Sequence, residues 1–284
     1  MNPNVSGLLA IAMWSLLALL TVASGTVPPL QLLAMTFFIG GLSGAVTWIF
    51  RGFPTELTGL PWRMWLFGIA GLFGYHFFYY TALRNAPAAQ AGLIAYLWPM
   101  LIVVGSALLP GEKLRWYHLA GTLLGFGGAA ILLAGDGNLF ALSGSAFGYL
   151  SAFACAFIWS AYSIYSRTMK AAPVDCVAIY CLASAVLALI CHLLFETTVW
   201  PRTSGEWLAI AGLGLMPVGL AFYAWDYGMK HGNIQLLGGA SYLAPLASTL
   251  ILTIAGFAEP HWQLFVACVM IIAGAVVCSG KFRI

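Results

Sequence analysis

The feature that leaves this chain the fewest folds is a succession of ten apolar runs, at residues 5–23, 28–50, 62–83, 88–109, 116–134, 143–169, 174–195, 206–229, 234–257 and 262–280. A bilayer core about 30 Å thick needs about 20 apolar residues in a helix rising 1.5 Å each. Only helices and closed barrels satisfy their own backbone groups in lipid, and runs this long exclude barrel strands. The expectation is therefore an all-α integral membrane protein with ten transmembrane helices. Charged residues make up 7% of 284, against roughly a quarter in soluble domains, so no soluble domain is expected. The basic residues are scattered among turns rather than gathered in a patch, and no nucleic-acid partner is expected.

Those turns carry an asymmetry. With both termini in the cytoplasm, Arg51, Arg63, Lys113, Arg115, Arg167, Lys170, Lys230, Lys281 and Arg283 lie inside, and only Arg84 and Arg202 lie outside. Residues 1–23 imitate a signal peptide, with Val22-Ala23-Ser24 as a cleavage mimic, but no Lys or Arg precedes the apolar stretch. Cleavage would also leave an odd number of spans. The cysteines all fall in apolar runs without CxxC spacing and read as small core residues.

The chain repeats itself. At a shift near 145 residues, Trp14-Ser15 falls on Trp159-Ser160, Tyr96 on Tyr242 and Pro99 on Pro245; after one extra residue, Glu112 falls on Glu259 and Gly127 on Gly274. The repeats are 1–139 and 140–284, each with five helices. An odd number of spans makes the halves inverted, and inverted repeats enclose a site near midplane, here a central cavity. One chain then closes its own cavity, and a monomer is expected.

As a set, Trp14-Ser15, Ala82-Leu83-Arg84-Asn85-Ala86-Pro87-Ala88, mid-helix Pro99, Gly111-Glu112-Lys113-Leu114 and Gly121 with Gly125, Gly127 and Gly128 resemble the drug/metabolite transporter superfamily. The resemblance is to its ten-helix branch of duplicated EamA-type units, and within that branch to YddG-type exporters. It implies a bacterial-type inner membrane and export of aromatic amino acids and related flat compounds from the cytoplasm, by alternating access. It also implies some export of methyl viologen. One position departs: where many members carry an Arg in the second helix, this chain has Thr36 or its neighbours. A substrate held chiefly by that Arg is not expected here.

Several residues are candidates for substrate contact. His76 lies about 14 residues into the third helix, about 21 Å from its cytoplasmic end, where ionisable groups face the bundle interior. It is read as a group satisfied by an interhelical hydrogen bond, as a hydrogen-bonding partner of a substrate carboxylate, or as a sensor of protonation. Tyr75, Tyr79 and Tyr80 surround it at helical spacings. Tyr96 and Trp98 point about 200° apart on an ideal helix, so only one faces a cavity unless Pro99 bends the helix. Trp14 and Trp159 sit at mid-span, where an interfacial aromatic belt does not account for them. With Tyr242 these aromatics are either core packing or a box that stacks flat rings and takes cations by cation–π contact. Pro99 and Pro245 each remove a helix hydrogen bond, freeing the carbonyls of Ala95 and Ser241, and are read as kinks or hinges.

Asp226 is read as a surface-linked ion pair with Lys230, four residues on, or as a proton-coupling group. Glu112 and Glu259 are read as turn or cap residues, His118, His192, His231 and His261 as interfacial anchors, and the Gly40/Gly44 and Gly121/Gly125 pairs as close helix contacts. Two other functions compete. A proton-driven exporter of quaternary cations lacks a mid-span acid; a membrane-embedded enzyme or sensor lacks HExxH, clustered acids and any nucleophile–base motif. No cofactor or metal is called for.

Overall fold

Small polar residues and prolines start these helices because their side chains or missing N–H groups suit a first turn. The Asn2, Ser145 and Asn233 side chains accept from the backbone N–H groups of Asn4, Gly148 and Leu236, and Thr203 with Glu206 closes a reciprocal capping box. Gly52 follows the second helix at φ 81°, and Gly111 takes the fourth turn at φ 83°, a left-handed conformation that suits glycine.

The computed structural model describes residues 1–134, 145–257, 259 and 261–279. Among these, nine helices are long and apolar enough to span a membrane: α1 (Pro3–Ala23), α2 (Pro29–Arg51), α3 (Trp62–Asn85), α4 (Ala88–Leu108), α5 (Trp116–Ala134), α6 (Ala146–Thr168), α7 (Cys176–Phe195), α8 (Ser204–His231) and α9 (Ile234–Ile254). A tenth apolar helix, α10 (Trp262–Cys278), has 17 residues, about 25 Å of rise. No strand occurs among the described residues. The caps explain the small shifts from the sequence-based boundaries: α6 starts after Ser145 and α8 after Thr203. The expected division between 139 and 140, and Lys281 and Arg283, lie outside the described residues.

The longest shared faces join α5 to α10, α3 to α6, α1 to α8 and α2 to α7, with α4 also against α9. Exchanging α1–α5 for α6–α10 turns the α3–α6 pair into α8–α1 and leaves the other pairs unchanged. The α5–α10 contact is backbone on backbone: a Cβ at Gly121 would meet the Gly274 carbonyl oxygen at 2.5 Å.

The spans are interrupted where that exchange matches. α4 breaks at Tyr96–Leu97 and α9 at Ser241–Tyr242, two to four residues before Pro99 and Pro245. α3 carries a π turn at Ala70–Gly74 and α8 one at Met216–Leu220. The breaks of α1 at Ser15–Leu16 and of α2 at Val46 have no counterpart in α6 or α7.

Hydrogen bonds between turns separate two faces of the bundle. On the terminal face, the Asn4 side chain accepts from Asn233, Arg51 pairs with Asp175, and Glu112 meets Arg167 and Gln235. On the opposite face, Glu196 accepts from the N–H groups of Leu30 and Gln31 and pairs with Arg84, while Ser145 donates to Asn85.

Candidate functional site

Four tryptophans from four helices meet between the two faces. Trp14 of α1 lies 6.2 Å from Trp98 of α4, 5.7 Å from Trp159 of α6 and 5.0 Å from Trp225 of α8, between ring centroids. Trp98 is in turn 5.7 Å from Trp225 and 6.3 Å from Trp159, mostly edge to face. The backbone interruptions allow this. The π turn of α8 leaves the Pro217 carbonyl to accept from the Trp14 indole N–H at 3.1 Å, and Ser160 donates to the Trp98 carbonyl at 3.0 Å.

The break in α4 also settles the geometry of Tyr96 and Trp98. Trp98 is buried in the tryptophan cluster, whereas Tyr96, half-buried at the break, lies near Tyr79 and Tyr75. Tyr75 stacks parallel on Tyr79 at 6.0 Å and reaches Trp159 at 5.6 Å. These tyrosines stay half-buried well inside their helices.

His76 is buried, with Phe37 of α2 edge-on at 5.2 Å and Phe222 of α8 at 6.1 Å. Its Nδ1 stands 2.7 Å from the Leu72 carbonyl, inside the π turn of its own helix. A carbonyl only accepts, so Nδ1 carries a proton, and in the neutral form of the ring Nε2 is the free acceptor. This corrects the interhelical reading alone: the hydrogen bond stays within α3.

Tyr242 is not brought to this cluster. It packs on Phe126 of α5 at 6.3 Å and against Gly125, and its hydroxyl donates to the Tyr96 carbonyl at 3.3 Å, so it braces the α4 break from behind. Pro99 and Pro245 sit in the first turns after the breaks. Sequence reasoning did not select Trp225, Phe37 or Tyr80 for substrate contact, nor Phe222, read only as the counterpart of His76. Trp225 follows Phe222 by three residues on the inner face of α8, a spacing that shows once the facing tryptophans are known.

Below the cluster, the terminal face is closed by a layer of charge. Arg167 donates from both Nε and Nη2 to Glu112 Oε1, at 2.9 and 2.5 Å, and to the α8 carbonyls of Met229 and Lys230. Glu112 Oε2 accepts from Gln235 of α9. Burial raises the pKa of Glu112, but the hydrogen bonds from Arg167 and Gln235 outweigh it and hold the carboxyl below its ordinary value. Asp226 and Lys230 are not at the surface, contrary to expectation: their side chains are 2% and 1% exposed, with Nζ and Oδ2 2.6 Å apart. The helix end that holds them is covered by α6 and the α6–α7 turn, which the spacing on α8 alone does not reveal. His192 is likewise buried, held by Glu196 and Thr198. On the opposite face a cavity of about 230 Å³ opens among Leu30, Phe77, Tyr80, Arg84 and Phe195.

An aromatic centre closed towards one face suits a carrier, and the comparisons with known proteins agree. A solved crystal structure aligns at TM-score 0.92 with 51% identity, covering 99% of this chain and 97% of that one. The aromatic amino acid exporter YddG of Ancylobacter novellus is 52% identical over 279 residues, 98% of this chain and 97% of the relative. Its namesake in Salmonella typhimurium is 27% identical over 96% of this chain and 94% of its own. The EamA-like transporter family matches residues 3–134 and again 146–280. With ten apolar helices (α1–α10) paired by that same exchange and both halves matched separately, the chain belongs to the EamA-like transporter family.

Proposed function

We propose that this protein exports aromatic amino acids and related flat compounds, and that the Trp14–Trp98–Trp159–Trp225 cluster with Tyr75, His76, Tyr79 and Tyr96 receives the substrate ring. The observation that carries this reading is the convergence of those rings from α1, α3, α4, α6 and α8 at the centre of the bundle, where Trp98, Trp159 and Trp225 are buried against one another and Trp14, Tyr75, Tyr79 and Tyr96 stay half-buried. Stacking and edge contacts hold an indole or phenyl ring, and the His76 Nε2 acceptor takes an indole or ammonium N–H. The two halves, 1–139 and 140–284, act as inverted five-helix units that rock about the cluster, with the breaks before Pro99 and Pro245 as hinges. The terminal face, rich in Lys and Arg, is cytoplasmic, in a bacterial-type inner membrane. One chain encloses the path, so the working unit is a monomer, and substrate crosses unchanged.

Proteoliposomes preloaded with labelled Trp, Phe, Leu or methyl viologen test this by efflux, at matched and unmatched pH. Trp and Phe are expected to leave fastest. No movement of any amino acid overturns the proposal, and movement of methyl viologen alone favours a quaternary-cation exporter. Acceleration by a pH gradient would mark coupled rather than facilitated export.

A further inference from the structure

The buried Asp226–Lys230 pair stands at the terminal-face edge of the aromatic cluster, and Tyr162 joins the two. The Tyr162 ring lies 5.2 Å from Trp159, while its hydroxyl stands 3.4 Å from Asp226 Oδ1. Ser166 donates to the same oxygen at 2.7 Å, and Lys230 Nζ donates to the Ala172 carbonyl at 3.1 Å. Beside the pair is a water-sized cavity of about 10 Å³, walled by Met64, Gly68, Tyr165, Met169 and Tyr180. Trp225, one residue before Asp226, belongs to the cluster itself.

We propose that Asp226 and Lys230 form a zwitterion-exchange site, which takes the ammonium of an amino acid on Asp226 and its carboxylate on Lys230 while the aromatic ring enters the tryptophan cluster. The inference rests on the proposed transport of amino acids and names the part of the substrate this site reads. A buried carboxylate and ammonium compensate each other, and separating them leaves each uncompensated. An incoming molecule relieves both only if it carries both charges. A cation such as methyl viologen pairs with Asp226 and strands Lys230; an anion does the reverse. The site stays neutral through the exchange, so charge type rather than ring size is what it selects.

Proteoliposome counterflow with Trp, tryptamine, which lacks the carboxylate, and indole-3-propionate, which lacks the ammonium, tests the proposal. Wild type is expected to move Trp at least about tenfold faster than either analogue. Asp226→Asn is expected to raise the rate of indole-3-propionate relative to Trp, and Lys230→Met to raise that of tryptamine relative to Trp, each by about tenfold. Equal movement of all three by wild type overturns the site, as does an equal loss of all three in both variants, the mark of a merely structural pair. If a variant does not accumulate as folded protein, the wild-type comparison decides alone. Failure of wild type to move Trp defeats the transport proposal instead.

Discussion

At the scale of single residues, backbone contacts decide what a side chain has left to offer. The Leu72 carbonyl accepts from His76 Nδ1, which leaves only Nε2 of the ring for a partner outside the helix. Replacing His76 with Phe, the residue at the matching position 222, is expected to keep the folded yield and raise the half-saturating concentration of Trp about tenfold. That is the loss of one hydrogen bond to a charged or polar N–H, about 1.5 kcal/mol. An unchanged transport curve contradicts the assignment. Glu112 gives a pH signature. Its folded pKa is depressed below 4.5, so the stability it contributes is fully present above that value and is lost as pH falls through the lowered pKa. Melting of Glu112→Gln and wild type should therefore differ at pH 6 and converge well below pH 4.5. Trp14 and Trp159 were legible from the sequence because mid-span tryptophans lack an interfacial explanation. Trp225 was not, because it reads as the neighbour of an acid near a helix end until α6 covers that end.

At the scale of elements, the spans and their order could be read from the sequence, because apolar length and capping residues set them locally. The breaks could be read in part. Pro99 and Pro245 announce a bend, yet the chain turns two to four residues earlier, at Tyr96–Leu97 and Ser241–Tyr242, where the Tyr242 hydroxyl reaches the Tyr96 carbonyl. The π turns at Ala70–Gly74 and Met216–Leu220 have no residue code, since what defines them is the hydrogen-bond register. Pro99→Ala is expected to lower the transport rate while leaving the folded yield intact; unchanged kinetics remove the hinge role. Gly121→Val sets a side chain against the Gly274 carbonyl and should destabilise the α5–α10 pair by about 1–3 kcal/mol, read as a lower melting temperature. A stability equal to wild type would mean that the helices can part there without cost.

At the scale of the whole molecule, the aromatic centre lies above a latched terminal face and below a face with an open cavity of about 230 Å³. Arg167 and Glu112 tie α6, the α4–α5 turn and the end of α8 together, and opening that face for substrate breaks these contacts. Glu112→Gln weakens charge-assisted hydrogen bonds by about 1.5–3 kcal/mol, enough to shift the balance of the two states about tenfold or more towards opening. The central claim is that the aromatic cluster is exposed alternately to the two sides. Counterflow tests it most directly: proteoliposomes loaded with unlabelled Trp are diluted into trace labelled Trp, and internal label is followed in time. Alternating exposure requires a transient overshoot of label above its equilibrium level, because each outward trip with unlabelled substrate returns the site to collect labelled substrate. A simple rise to equilibrium without overshoot, at protein levels that support efflux, would contradict it.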